Sequence, residues 1–394
     1  MAQREVVVTG GVRTAIGGYG GSLKDIPPTK LGAIAIKEAM ARAKIDPATV
    51  GHLVLGSVIH GEARDMYISR VAAIEGGLPV GTPCLTVNRL CGSGLQAIVS
   101  AAQHILLGDT DVALGAGAES MSRAAYFMPA ARWGQRMGDS SLIDAMSAAL
   151  NDPFGHGHMG VTAENIAAKY GISREEQDVF ALESHRRAAK AIDAGHFRSQ
   201  IVPVEVKSKK GPAQFDTDEH VRKDATLADL QKLKTVFKKD GTVTAGNASG
   251  INDAAAAVVL ADAAFAERHG HAPLGRLVAY SHAGVEPRIM GMGPAPAVRK
   301  VLERAGMKLD QIDVIELNEA FAAQALAVAR ELGLDPDKTN PNGSGVSLGH
   351  PVGATGTIVA VKALYELHRT GGHYALVTMC IGGGQGIAAI FERA

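Results

Sequence analysis

Short apolar runs separated by longer amphipathic stretches dominate the hydrophobic pattern of the chain. The runs are too short for helices and predict buried β-strands. They lie at residues 54–55, 85–87, 112–114, 253–260, 315–317, 374–378 and 386–391. Residues 92–107 and 354–367 have helical spacing and small residues at their starts, so they predict helices. Strands alternating with helices of this length indicate α/β domains with parallel sheets and right-handed crossovers.

The pattern occurs twice along the chain. The sequence around Cys91 matches the sequence around Gly353, and subtracting these numbers gives a displacement of 262 residues. In the same register Gly94 corresponds to Gly356, and the match covers roughly 31–120 and 293–382. Each single match is weak and Ala and Gly are common here, but the shared register favours an internal duplication.

The duplication predicts the domain organisation. We expect a first half at residues 1–120 plus 245–270 and a second half at 271–394, both α/β. Residues 121–244 have no repeat partner, so we expect them to form a loop domain inserted into the first half. Within it, a helix is predicted at 174–194, because Ser173 and Glu176 have the spacing of a capping box.

Charge and cysteine content narrow the function classes. Acidic and basic residues balance at 40 each, so there is no global attraction for nucleic acid or a membrane surface, and a bound anion needs a local patch. The three cysteines form no CxxC pair, which argues against a metal site and for a reducing compartment. The opening residues read as a β-strand rather than a signal peptide, and no unbroken apolar run reaches about 18 residues. We therefore expect a cytoplasmic protein.

Cys91 is the first candidate for chemistry. It follows the predicted strand at 85–87 and precedes a predicted helix, with Gly92 and Gly94 beside it. A thiol at a helix N-terminus is favoured as a thiolate, and the free N–H groups there can stabilise an oxyanion. The alternative is a small buried residue without a chemical role.

His350 and Cys380 are the matching candidates in the second half. The repeat places His350 on Asn88, so equivalent strand-end loops carry an imidazole and a thiol, and sites form at such loops in α/β sheets. A histidine with a pKa near neutrality could take the thiol proton. Cys380 precedes the glycine run at 382–384, which could also be a structural turn. Asn318 and His158 are weaker candidates on spacing alone.

Five motifs together resemble the signatures of the thiolase family in order and spacing. They are the segments 87–94, 158–160, 318–322, 349–356 and 380–386. The resemblance covers essentially the whole chain and, within the family, is to bacterial acetyl-CoA acetyltransferases and β-ketothiolases of polyhydroxyalkanoate synthesis. It implies a five-layer αβαβα fold built from two βαβαβαββ halves with a loop domain covering the site. It also implies a homotetramer assembled from dimers, with no metal and no cofactor.

The resemblance further implies a role for each matched residue. Cys91 would carry the acyl group, His350 would accept its proton, and Cys380 would exchange a proton with the α-carbon of a second acetyl-CoA. The N–H groups of Cys91 and Gly382 would form one oxyanion hole; His350 and a water held by Asn318 would form the other. Substrate and coenzyme A contacts would come from His158, Met159, Arg222, Ser249, Met290 and Phe321. The substrates would be acetyl-CoA and short 3-oxoacyl-CoA thioesters, joined or cleaved by a reversible Claisen condensation.

One departure and two rivals bear on this reading. Residues 154–158 read Phe-Gly-His-Gly-His, whereas short-chain biosynthetic members often have an aromatic residue shortly before the His-Met-Gly triplet. The two glycines could enlarge the acyl pocket and relax strict acetoacetyl specificity. A ketoacyl synthase-like enzyme would use two His, or His and Asn, where this chain has Cys380. A non-catalytic acyl carrier on the same scaffold should have lost one of the four catalytic positions.

Overall fold

The computed structural model describes residues 4–208 and 211–394. The first half contains β1 (Val6–Thr14), β2 (Gly17–Gly18), α1 (Pro28–Ala43), β3 (His52–Gly56), α2 (Ile68–Glu75), β4 (Cys84–Val87), α3 (Ser93–Leu107) and β5 (Val112–Ser120). The following segment contains β6 (Tyr126–Phe127), β7 (Ile143–Asp144), α4 (Ala145–Ala149), β8 (Asn151–Asp152), β9 (Gly157–His158), α5 (Met159–Tyr170), α6 (Arg174–Asp193), β10 (Ile201–Val202), β11 (Val204–Ser208), β12 (Gly211–Phe215) and α7 (Leu227–Gln231). The first half then ends with β13 (Asn252–Asp262) and α8 (Ala263–Arg268). The second half contains β14 (Gly275–Gly284), α9 (Pro294–Ala305), β15 (Val314–Leu317), α10 (Ala322–Leu332), α11 (Gly345–Leu348), α12 (Thr355–Thr370), β16 (Tyr374–Ile381) and β17 (Gln385–Arg393).

The strands of the two halves pair into one continuous sheet, in which the strand order of the second half reverses that of the first. The order is β4-β3-β5-β13-β1 in the first half and continues as β14-β17-β16-β15 in the second. The halves join where β1 pairs antiparallel with β14, with Val8 opposite Gly275. The repeat register agrees: β3 and β15 begin at His52 and Val314, 262 residues apart, and so do α3 and α12 at Ser93 and Thr355. The equivalent of β4 is reduced to a single bridge between Ile315 and Thr339.

The prediction of purely parallel sheets is wrong. β3 pairs in parallel with β4 and β5, and β15 with β16, but the last strand of each half runs antiparallel to both of its neighbours. In the second half the cause is plain, because β16 returns directly into β17 through the glycines at 382–384 and a tight turn reverses the chain. In the first half the whole segment between β5 and β13 stands where that turn would be.

Three apolar clusters fill the spaces between the helical layers and the strands. The outer cluster of the first half joins its strands to α1 and α2, and that of the second half joins its strands to α9 and α10. The central cluster joins both halves around α3 and α12. These two helices touch at equivalent glycines: a Cβ on Gly94 would lie 2.6 Å from the Thr357 nitrogen, and one on Gly356 would lie 2.1 Å from the Leu95 nitrogen. The layer order αβαβα therefore has α3 and α12 at its centre.

The central position of α3 also bears on the membrane expectation. By length and composition alone, residues Leu90–Leu107 are apolar enough to cross a membrane, although no such stretch was expected from the sequence. Of that stretch 56% is buried inside the fold, where α3 packs against the sheet and α12. Its apolar character is therefore accounted for by the core.

The segment between β5 and β13 is tied to the sheet by buried polar contacts. The Arg13 guanidinium donates to both carboxylate oxygens of Asp218, at 2.7 and 2.9 Å, and both side chains are inaccessible to solvent. Asp218 also accepts the Ile16 N–H at 2.8 Å. The predicted helix is present as α6, with both hydrogen bonds of the Ser173–Glu176 capping box. The predicted domain limits themselves stay a prediction.

Candidate active site

Cys91 lies in the turn between β4 and α3. The turn is shaped by Ser93, whose hydroxyl accepts the Arg89 N–H at 2.8 Å and donates to the Leu90 carbonyl at 2.7 Å. Leu90 has φ 47°, a left-handed conformation that is unusual for a branched side chain. This local strain stands directly before the thiol, where active sites often hold it.

The thiol of Cys91 is in its neutral form in the free protein. Cys91 is half-buried and lines a pocket, yet loss of solvent around the thiol raises its pKa to about 11, with a smaller rise from the charge of Glu119. The Gly382 and Cys91 N–H groups act in the opposite direction. The N–H groups at the helix N-terminus act in the direction that the sequence predicts, towards the thiolate, but desolvation has the larger effect on the pKa.

His350 is buried in the loop before α12, and its hydrogen bonds fix its orientation. Its N–H donates to Asn252 Oδ1 at 2.9 Å, and its ring Nδ1 lies 2.6 Å from Thr355 Oγ1. Because the Thr355 hydroxyl donates to the Pro351 carbonyl, it can accept from Nδ1–H, which leaves the Nε2 lone pair free. Burial lowers the pKa of His350 to about 4, so the expectation of a pKa near neutrality is wrong. The ring is a neutral proton acceptor.

A buried polar network holds the loop that carries His350. Glu319 accepts hydrogen bonds from the Ser184 hydroxyl at 2.7 Å, the Asn340 amide at 2.8 Å and the Val346 N–H at 3.3 Å. The Lys362 ammonium donates to Glu316 at 2.8 Å and to the Gly343 carbonyl at 2.7 Å. Burial raises the pKa of Glu316 to about 7 despite the nearby lysine. These groups fix the 340–350 loop between β15 and α12.

Cys380 and Gly382 approach Cys91 from the end of β16. Cys380 is fully buried, and burial, with a smaller contribution from the neighbouring Cys91 thiol, raises the pKa of its thiol well above the usual range. The Gly382 N–H lies within hydrogen-bonding range of the Cys91 thiol. Two thiols and an N–H donor therefore lie close together. The resemblance implies that the Gly382 N–H takes part in an oxyanion hole, and this role stays a prediction.

Asn318 lies behind His350 at the end of β15. Its Nδ2 is 3.5 Å from His350 Nε2, at the limit of a hydrogen bond. Its Oδ1 is buried and has no partner among the described residues. An unsatisfied buried amide oxygen is costly, so this atom fits a position that binds a water or a substrate group.

One pocket of about 680 Å³ collects most of the predicted site residues. Those that line it are Cys91, His158, Met159, Arg222, Ser249, Met290, Phe321, His350 and Gly382. Cys380 and Asn318 are not among the lining residues, because both are buried behind it. The volume is within the range of sites that hold a small organic ligand.

The wall opposite Cys91 includes an aromatic group that the sequence did not reveal. Phe237 stacks on the His158 ring with centroids 4.6 Å apart and meets Phe321 edge-on at 6.2 Å. His158 Nδ1 accepts the Gly160 N–H at 3.0 Å, which leaves Nε2–H as a donor. The nearby lysines at 234, 238 and 239 offered a charge pattern in the sequence, but nothing in it singled out Phe237.

Backbone contacts place the two residues predicted to hold coenzyme A. The Arg222 N–H donates to His185 Nδ1 at 3.1 Å, and the preceding Asp218 is fixed by Arg13. The Ser249 N–H donates to the Ala320 carbonyl at 2.9 Å, which ties its loop to the strand end that carries Asn318. Both residues reach the pocket from the segment that covers the sheet.

Within the described ranges no group of three or more His, Cys, Asp or Glu side chains could hold a metal ion. The sequence reasoning also missed Glu119, a fully buried carboxylate beside the Cys91 site. It stands at the end of β5, and a search for acidic residues at strand ends would have found it.

Comparison with known proteins gives consistent matches over the whole length. The family models for the thiolase N-terminal and C-terminal domains match residues 6–264 and 271–393. Beta-ketothiolase BktB from Cupriavidus necator is 67% identical over 391 residues, 99% of each chain. Acetyl-CoA acetyltransferase from Chromobacterium violaceum is 50% identical over 99% of this chain and 100% of its own. The crystal structure of human mitochondrial 3-ketoacyl-CoA thiolase in complex with CoA matches with TM-score 0.97 and 45% identity, covering 100% of this chain and 98% of that one.

Proposed function

The chain belongs to the thiolase family, and from that premise we propose that it joins or cleaves 3-oxoacyl-CoA through an acyl group carried on Cys91. It is an acyltransferase that acts on coenzyme A thioesters. The observation that carries the role of Cys91 is that Cys91, His350 and Gly382 share one pocket wall with Cys380 directly behind it.

The first half-reaction transfers the acyl group. The Cys91 sulfur forms a bond to the thioester carbon, its proton passes to His350 Nε2, and the carbonyl electron pair becomes an oxyanion beside the Cys91 and Gly382 N–H groups. The oxyanion collapses, the bond to the coenzyme A sulfur breaks, and His350 returns the proton to it. Burial raises the pKa of Cys91 and lowers that of His350, so both shifts favour the neutral thiol and the neutral imidazole before attack.

The second half-reaction forms the carbon–carbon bond. Cys380 gives its own proton to His350 and, as the thiolate, removes a proton from the α-carbon of a second acyl-CoA. The resulting enolate attacks the acyl–Cys91 thioester and expels the Cys91 sulfur, which takes the proton back from His350. Asn318 and His350 stabilise the enolate oxygen. With the proton from Cys380 on Nε2, the His350 ring donates from Nε2 to the enolate oxygen while Nδ1–H keeps its hydrogen bond to Thr355 Oγ1, so the same imidazole serves as acceptor and then as donor. Thiolysis is the reverse sequence.

The acyl pocket has apolar room beside Cys91. Val58, Met121, Leu150 and Val352 line that side of the pocket. Phe154 is 65% exposed and is not among the lining residues, and Gly155 and Gly157 have φ of 89° and 80°. We expect the enzyme to accept acyl groups longer than acetyl, and we place it with enzymes that supply polyhydroxyalkanoate synthesis.

Assembly, location and cofactor need are further parts of the proposal. The segment around β6 and β7 exposes large apolar side chains that water would not favour, among them Tyr126, Phe127, Trp133, Met137 and Leu142. A second copy of the chain covering this hairpin would bury them, which supports a homotetramer. We propose a cytoplasmic enzyme that works with no metal or redox cofactor, since each step uses only the groups described.

The experiment is thiolysis of acetoacetyl-CoA and of 3-oxovaleryl- to 3-oxooctanoyl-CoA with free coenzyme A, following loss of the oxoacyl thioester. Turnover with acetoacetyl-CoA supports the proposal, and the fall with chain length measures the acyl pocket. Condensation only with a malonyl donor would indicate a ketoacyl synthase-like enzyme. A folded, reduced protein with no turnover and no acyl group on Cys91 would indicate a non-catalytic role.

A further inference from the structure

Asn252 joins the loop that carries His350 to the first half of the molecule. It is the first residue of β13 and is fully buried. Its Oδ1 accepts the His350 N–H at 2.9 Å, and its Nδ2 donates to the Gly17 carbonyl at 3.0 Å. Gly17 lies in β2, which pairs antiparallel with the start of β13. One side-chain amide therefore connects two strands of the first half to the His350 loop of the second.

The partners of this amide explain why the residue is an asparagine. A backbone N–H can only donate and a backbone carbonyl can only accept, so the amide must present its oxygen to His350 and its nitrogen to Gly17. The reversed orientation would leave two buried backbone groups unsatisfied, which is costly. Leucine has a similar shape but offers neither atom, and ionised aspartate offers no donor for the Gly17 carbonyl. Both contacts therefore depend on an amide at this position.

The backbone before His350 packs directly on the Asn252 amide. Gly349 has φ 107°, and a Cβ there would lie 2.5 Å from Asn252 Cγ and 2.6 Å from its Nδ2. Only glycine has both the room and the backbone freedom for this contact. The backbone of His350 is thus fixed by Asn252, while its ring is fixed by the 2.6 Å contact of Nδ1 with Thr355 Oγ1. The two contacts together set the direction of Nε2.

The contact matters because the proposed nucleophile and base come from different halves. Cys91 lies in the turn before α3 and His350 in the loop before α12, and both line the same pocket. A shift of about 1 Å between reacting groups can cost about 10²-fold in rate. The hydrogen bond from His350 to Asn252 therefore sets the position of the base relative to strands of the nucleophile's half.

We propose that Asn252 is a positioning residue for the acid–base step: it holds the His350 backbone against β2 and β13, so that Nε2 is placed for proton transfer with Cys91. Asn252 is not among the residues that line the pocket, whereas residues 249–251 before it are. Its effect is therefore on His350 and on the rate of the chemical step rather than on binding of the thioester. The inference rests on the proposed function, in which His350 exchanges a proton with Cys91.

The test compares Asn252→Leu with the unaltered enzyme in the rate of the chemical step and in the binding of coenzyme A. The substitution removes both hydrogen bonds with little change of shape. We expect kcat for thiolysis of acetoacetyl-CoA to fall about 10²-fold. The rate at which acetyl-CoA acylates Cys91, measured by mass spectrometry in a quenched single turnover, should fall by the same factor. KM for coenzyme A and its dissociation constant from calorimetry should stay within about twofold.

Two further variants separate position from stability. Asn342→Leu is the matched control, because Asn342 is a buried asparagine of the loop that leads to His350 and its Oδ1 lies 3.0 Å from His196 Nδ1. Its replacement should lower the free energy of unfolding in urea but keep kcat within about threefold. Asn252→Asp retains an acceptor for the His350 N–H, so it should keep more of kcat than Asn252→Leu.

Gly349→Ala disturbs the same contact from the other side, since its added Cβ would push the loop off the amide. It should also lower kcat. The double variant with Asn252→Leu should lose no more than about threefold beyond the single variant with the larger loss, because both changes break one contact. Losses that multiply would show that the two residues act independently and would overturn the inference.

The outcomes separate this inference from the proposed function. An unaltered enzyme that acylates Cys91, with an Asn252→Leu variant that keeps its kcat, would overturn the inference alone. A loss carried by KM, or an equal loss of kcat in Asn342→Leu, would do the same. An unaltered protein that binds coenzyme A but forms no acyl adduct would overturn the proposed function and this inference with it. If Asn252→Leu does not fold, Asn252→Asp, alone and combined with Gly349→Ala, decides by the same division between kcat and KM.

Discussion

The two halves share one architecture but treat their equivalent loops differently. In the first half the turn before α3 is half-buried, strained at Leu90, and exposes Cys91 to a pocket. In the second half the loop before α12 is buried, and a network around Glu319 and Lys362 fixes it. A nucleophile must reach its substrate, whereas a base must be held in place. The duplication supplied two helix N-termini, and each was adapted to one of these requirements.

The halves also differ in how burial acts on charge. In the first, burial favours the neutral Cys91 thiol and raises the pKa of Glu119 to about 8, although three N–H donors act in the opposite direction on Glu119. In the second, burial keeps His350 neutral and raises the pKa of Glu316 to about 7. The same loss of water strengthens every electrostatic interaction that arises in the site during the reaction.

The largest effect should come from the first-half nucleophile. Cys91→Ser should reduce thiolysis by about 10⁴-fold or more, since a serine hydroxyl with a neutral base is a poor nucleophile here. The measurement is turnover with acetoacetyl-CoA, together with mass spectrometry for the acyl adduct. Cys84→Ser serves as the control for cysteine replacement, and a Cys91→Ser enzyme with appreciable turnover would exclude the assignment.

Replacing Cys380, in the second half, should block one step of the reaction and leave the other. Cys380→Ser should still form the acyl adduct on Cys91 but lose condensation by about 10²–10⁴-fold, the usual contribution of a general base. Acyl exchange with labelled coenzyme A and condensation of acetyl-CoA measure the two steps separately. A full condensation rate would show that Cys380 is not the base.

The network that fixes the second-half loop should dominate stability. Lys362→Met leaves Glu316 buried without its cation and should lower the free energy of unfolding by about 3–5 kcal/mol. Urea denaturation measures this. Arg288→Met is the control, since the Arg288–Glu286 pair is exposed and should cost no more than about 1 kcal/mol. Equal costs would mean that the network does not hold the loop.

The smallest effect concerns acid stability. The pKa of His350 is about 4 in the folded protein against 6.5 in the unfolded chain, so the unfolded chain binds more protons below pH 6.5 and stability falls as the pH drops towards 4. At pH 5 protonation of His350 in the unfolded chain should lower the free energy of unfolding by about 2 kcal/mol, and the His350→Asn variant should not show this loss. Urea unfolding at pH 7 and 5 compares the two. His373→Asn, at an exposed site, is the control, and an equal pH dependence in His350→Asn would contradict the shift.

Much of this molecule could be predicted from its sequence. The repeat displacement, the strand–helix alternation and the capping box of α6 are local or periodic properties, and the structure has them where they were expected. The motif spacing placed Cys91, His350, Cys380 and Gly382 at helix starts and strand ends, because in an α/β unit those positions follow from the order of elements. The structure brings them together, while their roles in catalysis stay predictions.

Only the tertiary structure decided the properties that depend on contacts between distant residues. The antiparallel pairing of β13 with β5, the contact of Phe237 with His158 and the hydrogen bond from the Gly353 N–H to Glu119 join segments far apart in the chain. The direction of the pKa shifts of Cys91 and His350 was also beyond the sequence. A helix N-terminus is visible in a motif, but the amount of water that packing removes from a side chain is not, and here that loss of solvent decided the charge.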